Sequence, residues 1–171
     1  MTADARPPLA RRLVMRAMPV VFRIVNVPMR LVLGMPVSTP LGRRLMLAYL
    51  TGRRTGRSYR QPISYVRDGD VLLTPGGGRW KFNLVEGQPT HVRLRGMDVY
   101  LRPELVRDPV EVDRLLGAMS TKNPSIRRFV PIPKQADGHY EPGRLDSAIE
   151  HGFRIVRWSP HDAAARKAIA G

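Results

Sequence analysis

The chain has 171 residues and a formal net charge of +15, most of it carried by arginine. This length gives one domain with a real hydrophobic core, and the charge predicts an anionic partner: nucleic acid, an anionic membrane face or a small molecule with several negative groups. The chain has no cysteine, which excludes a disulfide framework, a thiolate nucleophile and a cysteine-ligated metal, and it has no run of about 20 apolar residues that would span a bilayer.

Residues 1–34 are predicted to form a basic, amphipathic helical segment that precedes the main domain. When residues 9–33 are placed on a helix at about 100° per residue, arginines fall on one stripe and valines and methionines fall on the opposite side. Pro19 interrupts this pattern. The basic stripe consists of Arg12, Arg16, Arg23 and Arg30. Such a helix either lies on an anionic membrane surface or covers the core of the domain, and the pattern alone leaves both options open.

The main domain, residues 35–160, begins with a series of predicted strands. The segments 44–50 and 59–66 are short, and they are either apolar or alternate between apolar and polar residues, as is typical of strands. Asp68-Gly69 is a strong tight-turn signal, and it predicts a hairpin that leads into a third strand at residues 71–73. We expect these strands to form an antiparallel meander of three.

The densest basic stretch lies between the first two predicted strands, at residues 52–57, and is called the arginine turn below. Four arginines stand within positions 53–60, and Gly52 and Gly56 let the backbone bend sharply between them. A guanidinium group offers a rigid fork of donors to phosphate or carboxylate oxygens, and a glycine-containing turn exposes backbone N–H groups. The segment therefore predicts a polyanion site, with a solvated basic hairpin as the alternative.

The third strand ends at Pro75 and a glycine loop, residues 76–78, after which residues 80–85 are predicted to form one or two helical turns. In a three-strand meander the turn after the first strand and the end of the third lie at the same edge of the sheet. The arginine turn and the glycine loop are therefore expected to face one ligand. Trp80 would offer it a flat surface, Lys81 a charge and Asn83 a donor and an acceptor.

The second half of the domain is predicted to contain a hairpin of residues 90–94 and 97–106 around Gly96, followed by a helix at residues 109–119. The apolar side of this helix is predicted to consist of Val110, Leu115 and Met119. Residues 123–143 have three proline-containing breaks and predict a long loop.

The chain is predicted to end with a short helix at residues 144–151, a last strand at residues 153–158 and a C-terminal tail, residues 161–171, that forms a frayed alanine-rich helix. Six or so mostly antiparallel strands with few long helices predict a mainly β protein, a small β-barrel with flanking helices.

A set of motifs in this order resembles the deazaflavin-dependent nitroreductase family of the flavin/deazaflavin oxidoreductase superfamily. The motifs are Thr51-Gly52-Arg53-Arg54-Thr55-Gly56-Arg57, Pro62, Tyr65, Asp68-Gly69-Asp70, the glycine loop and Trp80-x-x-Asn83-Leu84. The resemblance covers roughly residues 45–105. It implies a split β-barrel of the FMN-binding type, the deazaflavin coenzyme F-420 with its phosphate and glutamate tail, and hydride transfer to quinones, nitroaromatics or enones.

The resemblance also implies which residues bind the cofactor. The phosphate and acidic tail would be held by Arg54, Thr55, Arg57 and Arg60, and the deazaflavin end would be lined by Gly76, Gly77, Trp80 and Asn83. The predicted cofactor-binding set is completed by Tyr59, Gln61, Pro62 and Lys81. No catalytic side chain is assigned, because hydride transfer needs little acid–base help when the cofactor carries the reactive carbon.

The chain departs from the family pattern in two places. Residues 122–129 contain no tyrosine, although nitroreductases of this family often have substrate-facing tyrosines there. The glycine loop also lacks the small hydroxyl residue often found in it, unless Thr74 takes that place. Cofactor binding is therefore better supported than nitro reduction.

The sequence offers less support for other kinds of functional site. The four histidines lack metal-ligand spacing, and Tyr49 and Tyr65 are expected to be core or barrel-lining residues rather than catalytic ones. An FMN- or haem-binding relative, a non-catalytic lipid or cofactor carrier and a nucleic-acid binder remain open, the last disfavoured because no nucleic-acid module is recognised.

The expected partners are an anionic deazaflavin cofactor, a hydrophobic small-molecule acceptor and an anionic membrane surface, with a homodimer as a further option. The expected location is the cytoplasm, with peripheral association at the inner face of the cell membrane.

Overall fold

The structure, a computed structural model, describes residues 29, 31–35, 41–76, 78–130 and 132–171. Residues 31–34 are helical. Apart from residues 29 and 31–33, the helical segment predicted over residues 9–33, including its arginine stripe, lies outside the described residues, and so does Gly77. No helix in the described ranges is long and apolar enough to cross a membrane.

Seven strands form one sheet in the order β2-β1-β5-β6-β7-β4-β3, and every neighbouring pair is antiparallel. The strands are β1 (Leu45–Thr51), β2 (Ser58–Ser64), β3 (Val66–Asp68), β4 (Val71–Pro75), β5 (Thr90–Leu94), β6 (Met97–Val106) and β7 (Ile155–Pro160). The mainly β class predicted from the sequence is confirmed.

The sheet curls upon itself. β2 and β3 are successive parts of one extended segment, yet they occupy the two ends of the strand order, so the ends of the sheet must come round towards each other. The break between them is Tyr65, whose N–H donates to the carbonyl of Arg44 (3.0 Å) and whose hydroxyl donates to that of Gly42 (2.8 Å). This arrangement is consistent with a split barrel.

Two predictions about the first strands are wrong. The segment predicted as one strand, residues 59–66, is divided at Tyr65 into β2 and β3, which pair with different strands, β1 and β4. The three-strand meander does not form either: β2 pairs with β1, whereas β4 pairs with β3 and β7. Strand pairing across the curled sheet depends on contacts far apart in sequence, which local alternation does not specify.

The interior of the curled sheet is a hydrophobic core. Met46, Ala48 and Leu50 alternate into it along β1, and Trp158 of β7 is fully buried, with its indole N–H donating to the hydroxyl of Thr74 (3.0 Å). The C-terminal helix also packs here through buried Ala165, Ala168 and Ile169.

After residue 41, the described part of the chain contains three α-helices, which flank the sheet: α1 (Pro109–Lys122), α2 (Pro142–Glu150) and α3 (Ala163–Ala170). The prediction of a frayed tail is wrong, because α3 is capped by the Asp162 side chain, which accepts from the Ala165 N–H, and its small residues pack closely on the core.

A second apolar cluster lies between α1, α2 and the face of the sheet that β4, β6 and β7 present to them. The buried residues of α1 are Val112, Leu115, Leu116, Met119 and Ser120. The predicted apolar side was therefore wrong at one position, since Val110 is 78% exposed. Val110 stands one residue after the start of α1, on the side away from the stripe set by Val112, Leu115 and Met119.

The region predicted as a long loop, residues 123–143, contains more structure than expected. A 3-10 helix occupies Pro124–Phe129, and Lys134 and Tyr140 form an isolated β-bridge. Tyr140 is buried, with its hydroxyl 3.2 Å from that of Ser120 in α1. The imidazole of His139 lies 2.6 Å from the carboxylate of Asp113, which also accepts from the Tyr140 N–H (2.8 Å). These bonds fasten the loop to α1.

The contact of His139 with Asp113 should make stability depend on pH. The pKa of His139 is raised, mainly by its hydrogen bond to Asp113, so the folded state holds the proton more tightly than the unfolded chain, in which histidine titrates near about 6.5. The stabilisation is complete below that pH and is lost as pH rises through the raised pKa. We expect the urea midpoint to fall over this window in the native chain but not in His139→Gln. An equal fall in both proteins would contradict this assignment.

Candidate anion-binding site

The arginine turn joins β1 to β2 and is held by its own backbone. The Gly52 N–H donates to the carbonyl of Arg57 (2.9 Å), and the Gly56 N–H donates to the carbonyl of Gly52 (2.8 Å). Gly56 adopts a φ of 65°, which favours glycine. The chain reverses within six residues, and Arg53, Arg54 and Arg57 are left exposed on the outside of the turn.

The arginine turn is docked on the 3-10 helix Arg79–Asn83 that follows β4. The Arg53 N–H donates to the Asn83 side-chain oxygen (3.1 Å), and the Arg53 guanidinium donates to the carbonyl of Phe82 (3.0 Å). The amide nitrogen of Asn83 donates to the hydroxyl of Tyr59 (2.6 Å) at the start of β2. The turn and this helix therefore face each other, and the curl of the sheet, not a meander, brings them together. The shared ligand predicted for the turn and the glycine loop remains a prediction.

Between them lies a cavity of about 620 Å³. Its lining consists of Gly52, Arg53, Arg54, Thr55, Arg57, Tyr59, Arg79, Phe82 and Asn83. Four of these residues are arginines and none is a carboxylate, so the cavity has a strongly positive potential. An adjoining cavity of about 420 Å³ shares Tyr59 and includes Arg60. Both volumes fall within the range of small-molecule sites, roughly 300–1,000 Å³.

The structure brings five members of the predicted cofactor-binding set into the larger cavity: Arg54, Thr55, Arg57, Tyr59 and Asn83. Four further lining residues were not in the predicted set: Gly52, Arg53, Arg79 and Phe82. Arg53 stood in the quoted motif, and Arg79 and Phe82 flank predicted positions, so a helical turn placed against the arginine turn would have indicated them. Phe82 is 44% exposed and gives the cavity an apolar wall.

Three other predicted residues lie along β2, outside the larger cavity. Arg60 is opposite Tyr49 in the β1 ladder, and its guanidinium carbon lies 5.6 Å from the Tyr49 ring centre. Tyr49 in turn stacks on His91 of β5, with ring centres 4.2 Å apart. Gln61 donates its side-chain amide to the carbonyl of Pro62 (3.0 Å), and both are half-buried. Arg60 thus belongs to an aromatic row on the sheet and to the adjoining cavity.

Of the remaining predicted residues that the structure describes after β4, Gly76 and Lys81 are buried and Trp80 is half-buried. The Trp80 ring is parallel to that of Trp158 within 10°, with centres 6.3 Å apart. Lys81 is buried, and its ammonium donates to the carbonyl of Gly78 (2.7 Å). Burial, with a further contribution from the nearby charge of Arg154, lowers the pKa of Lys81. Gly76 is also buried, with its N–H donating to the carbonyl of Arg154 (2.7 Å). These residues hold the glycine loop in place.

Asn83 connects the two halves of the site, which gives a test by substitution. We expect Asn83→Ala to lower the free energy of unfolding by about 1–2 kcal/mol, because it leaves the Arg53 N–H and the Tyr59 hydroxyl without their partner. Asn83→Asp can still accept from the Arg53 N–H, and its second oxygen can accept from the Tyr59 hydroxyl, which then becomes the donor. This variant should keep near-native stability, while its negative charge weakens anion binding. Urea unfolding and ligand titration measure the two effects, and equal stability of the Ala and Asp variants would contradict a bridging role.

No cluster of three or more His, Asp or Glu side chains in the described ranges could hold a metal ion. The larger cavity instead presents guanidinium, hydroxyl and amide groups, which are suited to phosphate and carboxylate oxygens.

Comparison with known proteins gives structural similarity alone. No protein-family model matches the chain, and no curated protein matches it. Among solved structures, the chain is similar to an F-420-H2-dependent reductase, FDR-A, at 12% identity and a TM-score of 0.46, over 68% of this chain and 95% of that one. It is also similar to a structure described as a domain-swapped dimer, at 12% identity and a TM-score of 0.47, over 80% of this chain and 98% of that one. The function below therefore rests on the residues of the site and on the motif resemblance.

Proposed function

We propose that the chain is an oxidoreductase that takes a hydride from reduced coenzyme F-420 and delivers it to a hydrophobic quinone, nitroaromatic or enone. One observation carries this proposal. The arginine turn is docked by Arg53 and Asn83 over a cavity of about 620 Å³ that four arginines and no carboxylate line. A ligand with several negative groups and an apolar ring suits such a cavity.

The residues present fit the deazaflavin better than its alternative, FMN. FMN offers a single phosphate, whereas the tail of coenzyme F-420 offers a phosphate and several carboxylates to the four guanidinium groups of the larger cavity. Tyr59 and Phe82 provide the apolar wall beside those arginines. The cofactor-binding roles of Arg54, Thr55 and Arg57 are part of this proposal.

The work of the protein would then be binding, orientation and exclusion of water. The arginines hold the anionic tail, and the Asn83 bridge fixes the turn that carries them relative to the 3-10 helix. When bound, the deazaflavin supplies the hydride donor, so the chain needs no nucleophile of its own. Fixing donor and acceptor in reacting geometry is the main source of rate enhancement in such a site.

Turnover under anaerobic conditions tests the reaction. Purified protein is mixed with reduced coenzyme F-420 and, in turn, menaquinone, a nitroaromatic and an enone, and cofactor oxidation is followed. At least one acceptor should accelerate oxidation above the protein-free rate. Binding without turnover with any acceptor would instead assign the chain to the non-catalytic carriers. An absorption spectrum of FMN or haem in the isolated protein would indicate one of those groups.

We further propose that the N-terminal segment, residues 1–34, brings the protein to an anionic membrane surface without crossing it, as a peripheral protein at the inner face of the cell membrane. The support is the arginine stripe at positions 12, 16, 23 and 30, in a region from Ala5 to Val66 that contains no carboxylate. Each cationic side chain near an anionic surface contributes about 1 kcal/mol.

Full-length protein and a variant with glutamine at all four stripe positions are compared by co-sedimentation with anionic and with neutral vesicles. The native chain should bind anionic vesicles in a salt-sensitive way, and the variant should bind far less. Equal binding by both proteins would show that the stripe is not the membrane contact.

A homodimer remains a separate prediction, checked by sedimentation equilibrium.

A further inference from the structure

A second basic cavity lies at the other end of β1. It has a volume of about 300 Å³, and we call it the basic pocket. The basic residues that line it are Arg43, Arg44, Arg67, Arg95 and Lys122. The basic pocket shares no lining residue with the cavity at the arginine turn. It adjoins the start of β1, whereas the arginine turn follows its end, and these seven residues of strand separate the two by roughly 20 Å.

The charges of the basic pocket are mostly uncompensated. Lys122 pairs with Asp68 at 2.7 Å, and the Arg67 guanidinium donates to the carbonyls of Gly69 (3.1 Å) and Ala170 (2.6 Å). The guanidinium groups of Arg43 and Arg44 make no hydrogen bond or ion pair with any residue that the structure describes. The segments outside the described ranges contain a single carboxylate, Asp4, so the sequence offers little to neutralise this pocket.

Arg95 is held in the basic pocket under unusual constraints. Its φ of 52° is in the left-handed region, which arginine rarely adopts. Its Nε and Nη1 atoms are buried, and neither has a hydrogen-bond partner in the described part of the chain. Buried donors are normally paired, because an unpaired donor loses its hydration without compensation. Burial raises the pKa of the neighbouring Tyr65, whereas a side-chain hydrogen bond with Arg95 and the charge of Arg95 act in the opposite direction.

We propose that the basic pocket is an oxyanion site that binds a phosphoryl group, such as a phosphate monoester or a diphosphate. Arg43, Arg44 and Arg95 would donate to its oxygens, and the unpaired guanidinium donors are what a charge-assisted partner would satisfy. The volume suits a phosphoryl group and a small substituent; the cavity at the arginine turn is about twice as large. The site is independent of the proposed hydride transfer and would act as a second point of attachment.

Inorganic pyrophosphate is the probe. Isothermal titration at low ionic strength is combined with amide chemical shifts, which report where it binds. Native protein should bind it with shifts at Gly96 and Asn123, which flank or line the basic pocket. Arg44→Gln and Arg95→Gly should each weaken this binding about tenfold or more, as expected for loss of a charge-assisted hydrogen bond. Glycine suits the φ of 52° at position 95, so the variant removes the guanidinium and relaxes the backbone.

Arg57→Gln, in the arginine turn, is the matched control, since it removes one positive charge at the other end of β1. It should leave the shifts at Gly96 and Asn123 unchanged. The proposal is overturned if Arg44→Gln and Arg95→Gly bind pyrophosphate at those amides as tightly as the native chain, or if the shifts are confined to residues 52–57.

The same variants identify the source of the phosphoryl group. Vesicles that contain phosphatidic acid are co-sedimented with native protein and Arg95→Gly, with and without pyrophosphate. Competition by pyrophosphate that is lost in Arg95→Gly would assign the site to a lipid headgroup. The other outcome is that neither pyrophosphate nor Arg95→Gly changes vesicle binding, while pyrophosphate binding still depends on Arg95. That result would assign the basic pocket to a soluble phosphate ester.

Discussion

Replacing Arg54 and Arg57 together with alanine is expected to weaken binding of coenzyme F-420 by about 100- to 10,000-fold. Each exposed guanidinium stands over the cavity without a carboxylate among the lining residues. Losing a charge-assisted hydrogen bond costs about 1.5–3 kcal/mol at each position, and tenfold in affinity corresponds to about 1.4 kcal/mol. Stability should change by no more than about 0.5 kcal/mol, because surface substitutions away from buried contacts rarely do more.

Arg144→Ala combined with Arg166→Ala is the matched control, since it removes two exposed positive charges from α2 and α3 instead. It should change cofactor affinity far less. Tryptophan fluorescence titration gives the affinities, and urea unfolding gives the stabilities. If the Arg54/Arg57 variant binds normally while its unfolding free energy falls, the arginine turn is a structural element and the site is wrongly placed.

Gly76→Ala should lower the free energy of unfolding by about 3 kcal/mol, because the added methyl group meets the backbone of a neighbouring segment. A Cβ at Gly76 would lie 2.3 Å from the carbonyl oxygen of Arg154 and 3.1 Å from the side chain of Lys81. That same carbonyl accepts the Gly76 N–H, so the loop and the start of β7 cannot separate without breaking the bond. Overpacking of this kind typically costs about 1–3 kcal/mol, and a backbone neighbour puts Gly76 at the upper end.

Gly117→Ala controls for the added methyl. Gly117 lies within α1, and apart from the nearby backbone of that helix no atom lies within 4 Å of its Cβ position. Alanine there should raise the free energy of unfolding by about 0.5–1 kcal/mol, because glycine is a poor residue in the middle of a helix. Urea unfolding measures the free energy of unfolding of both variants. A Gly76→Ala protein as stable as the native chain would mean that the loop does not pack closely against β7.

The sequence predicts hairpins well here, because their signals are local. Asp68-Gly69 indicates the turn between β3 and β4, and Gly69 indeed adopts a φ of 60°. Gly96 likewise lies in the turn between β5 and β6, at a φ of 83°. The order of strands is a different kind of property. It depends on Tyr65, which fastens the β2–β3 break to Gly42 and Arg44, and no local pattern identifies that contact.

For the helices too, the local sequence predicts some features, whereas contacts with distant residues determine others. The pattern identifies α1 and its buried positions Leu115 and Met119. It wrongly assigns Val110 to the apolar side, because Val110 lies on the opposite side of the helix and is exposed. The polar and alanine-rich composition of the C-terminal segment suggests fraying. In the fold, Ala165 and Ala168 are buried because small side chains let α3 approach the core closely.

At the candidate site, the arginine turn is predictable because glycines and arginines at this spacing are enough to define it. Other residues of the predicted set do not line the larger cavity, however. Trp80 and Lys81 turn inwards, to Trp158 and to the carbonyl of Gly78, because the 3-10 helix presents Arg79, Phe82 and Asn83 to the cavity instead. The direction of side chains on so short a helix follows from its docking, which the sequence does not reveal.

Titration of the native protein with coenzyme F-420, followed by tryptophan fluorescence, tests the central claim most directly. Trp80 lies on the 3-10 helix that carries Asn83, and it stacks on Trp158, so occupancy of the neighbouring cavity should change the emission. The proposed site predicts saturable binding with a Kd well below about 100 μM, equivalent to about 5.5 kcal/mol, that is lost in the Arg54/Arg57 variant. Absence of binding up to that concentration, or equal binding by both proteins, would contradict it.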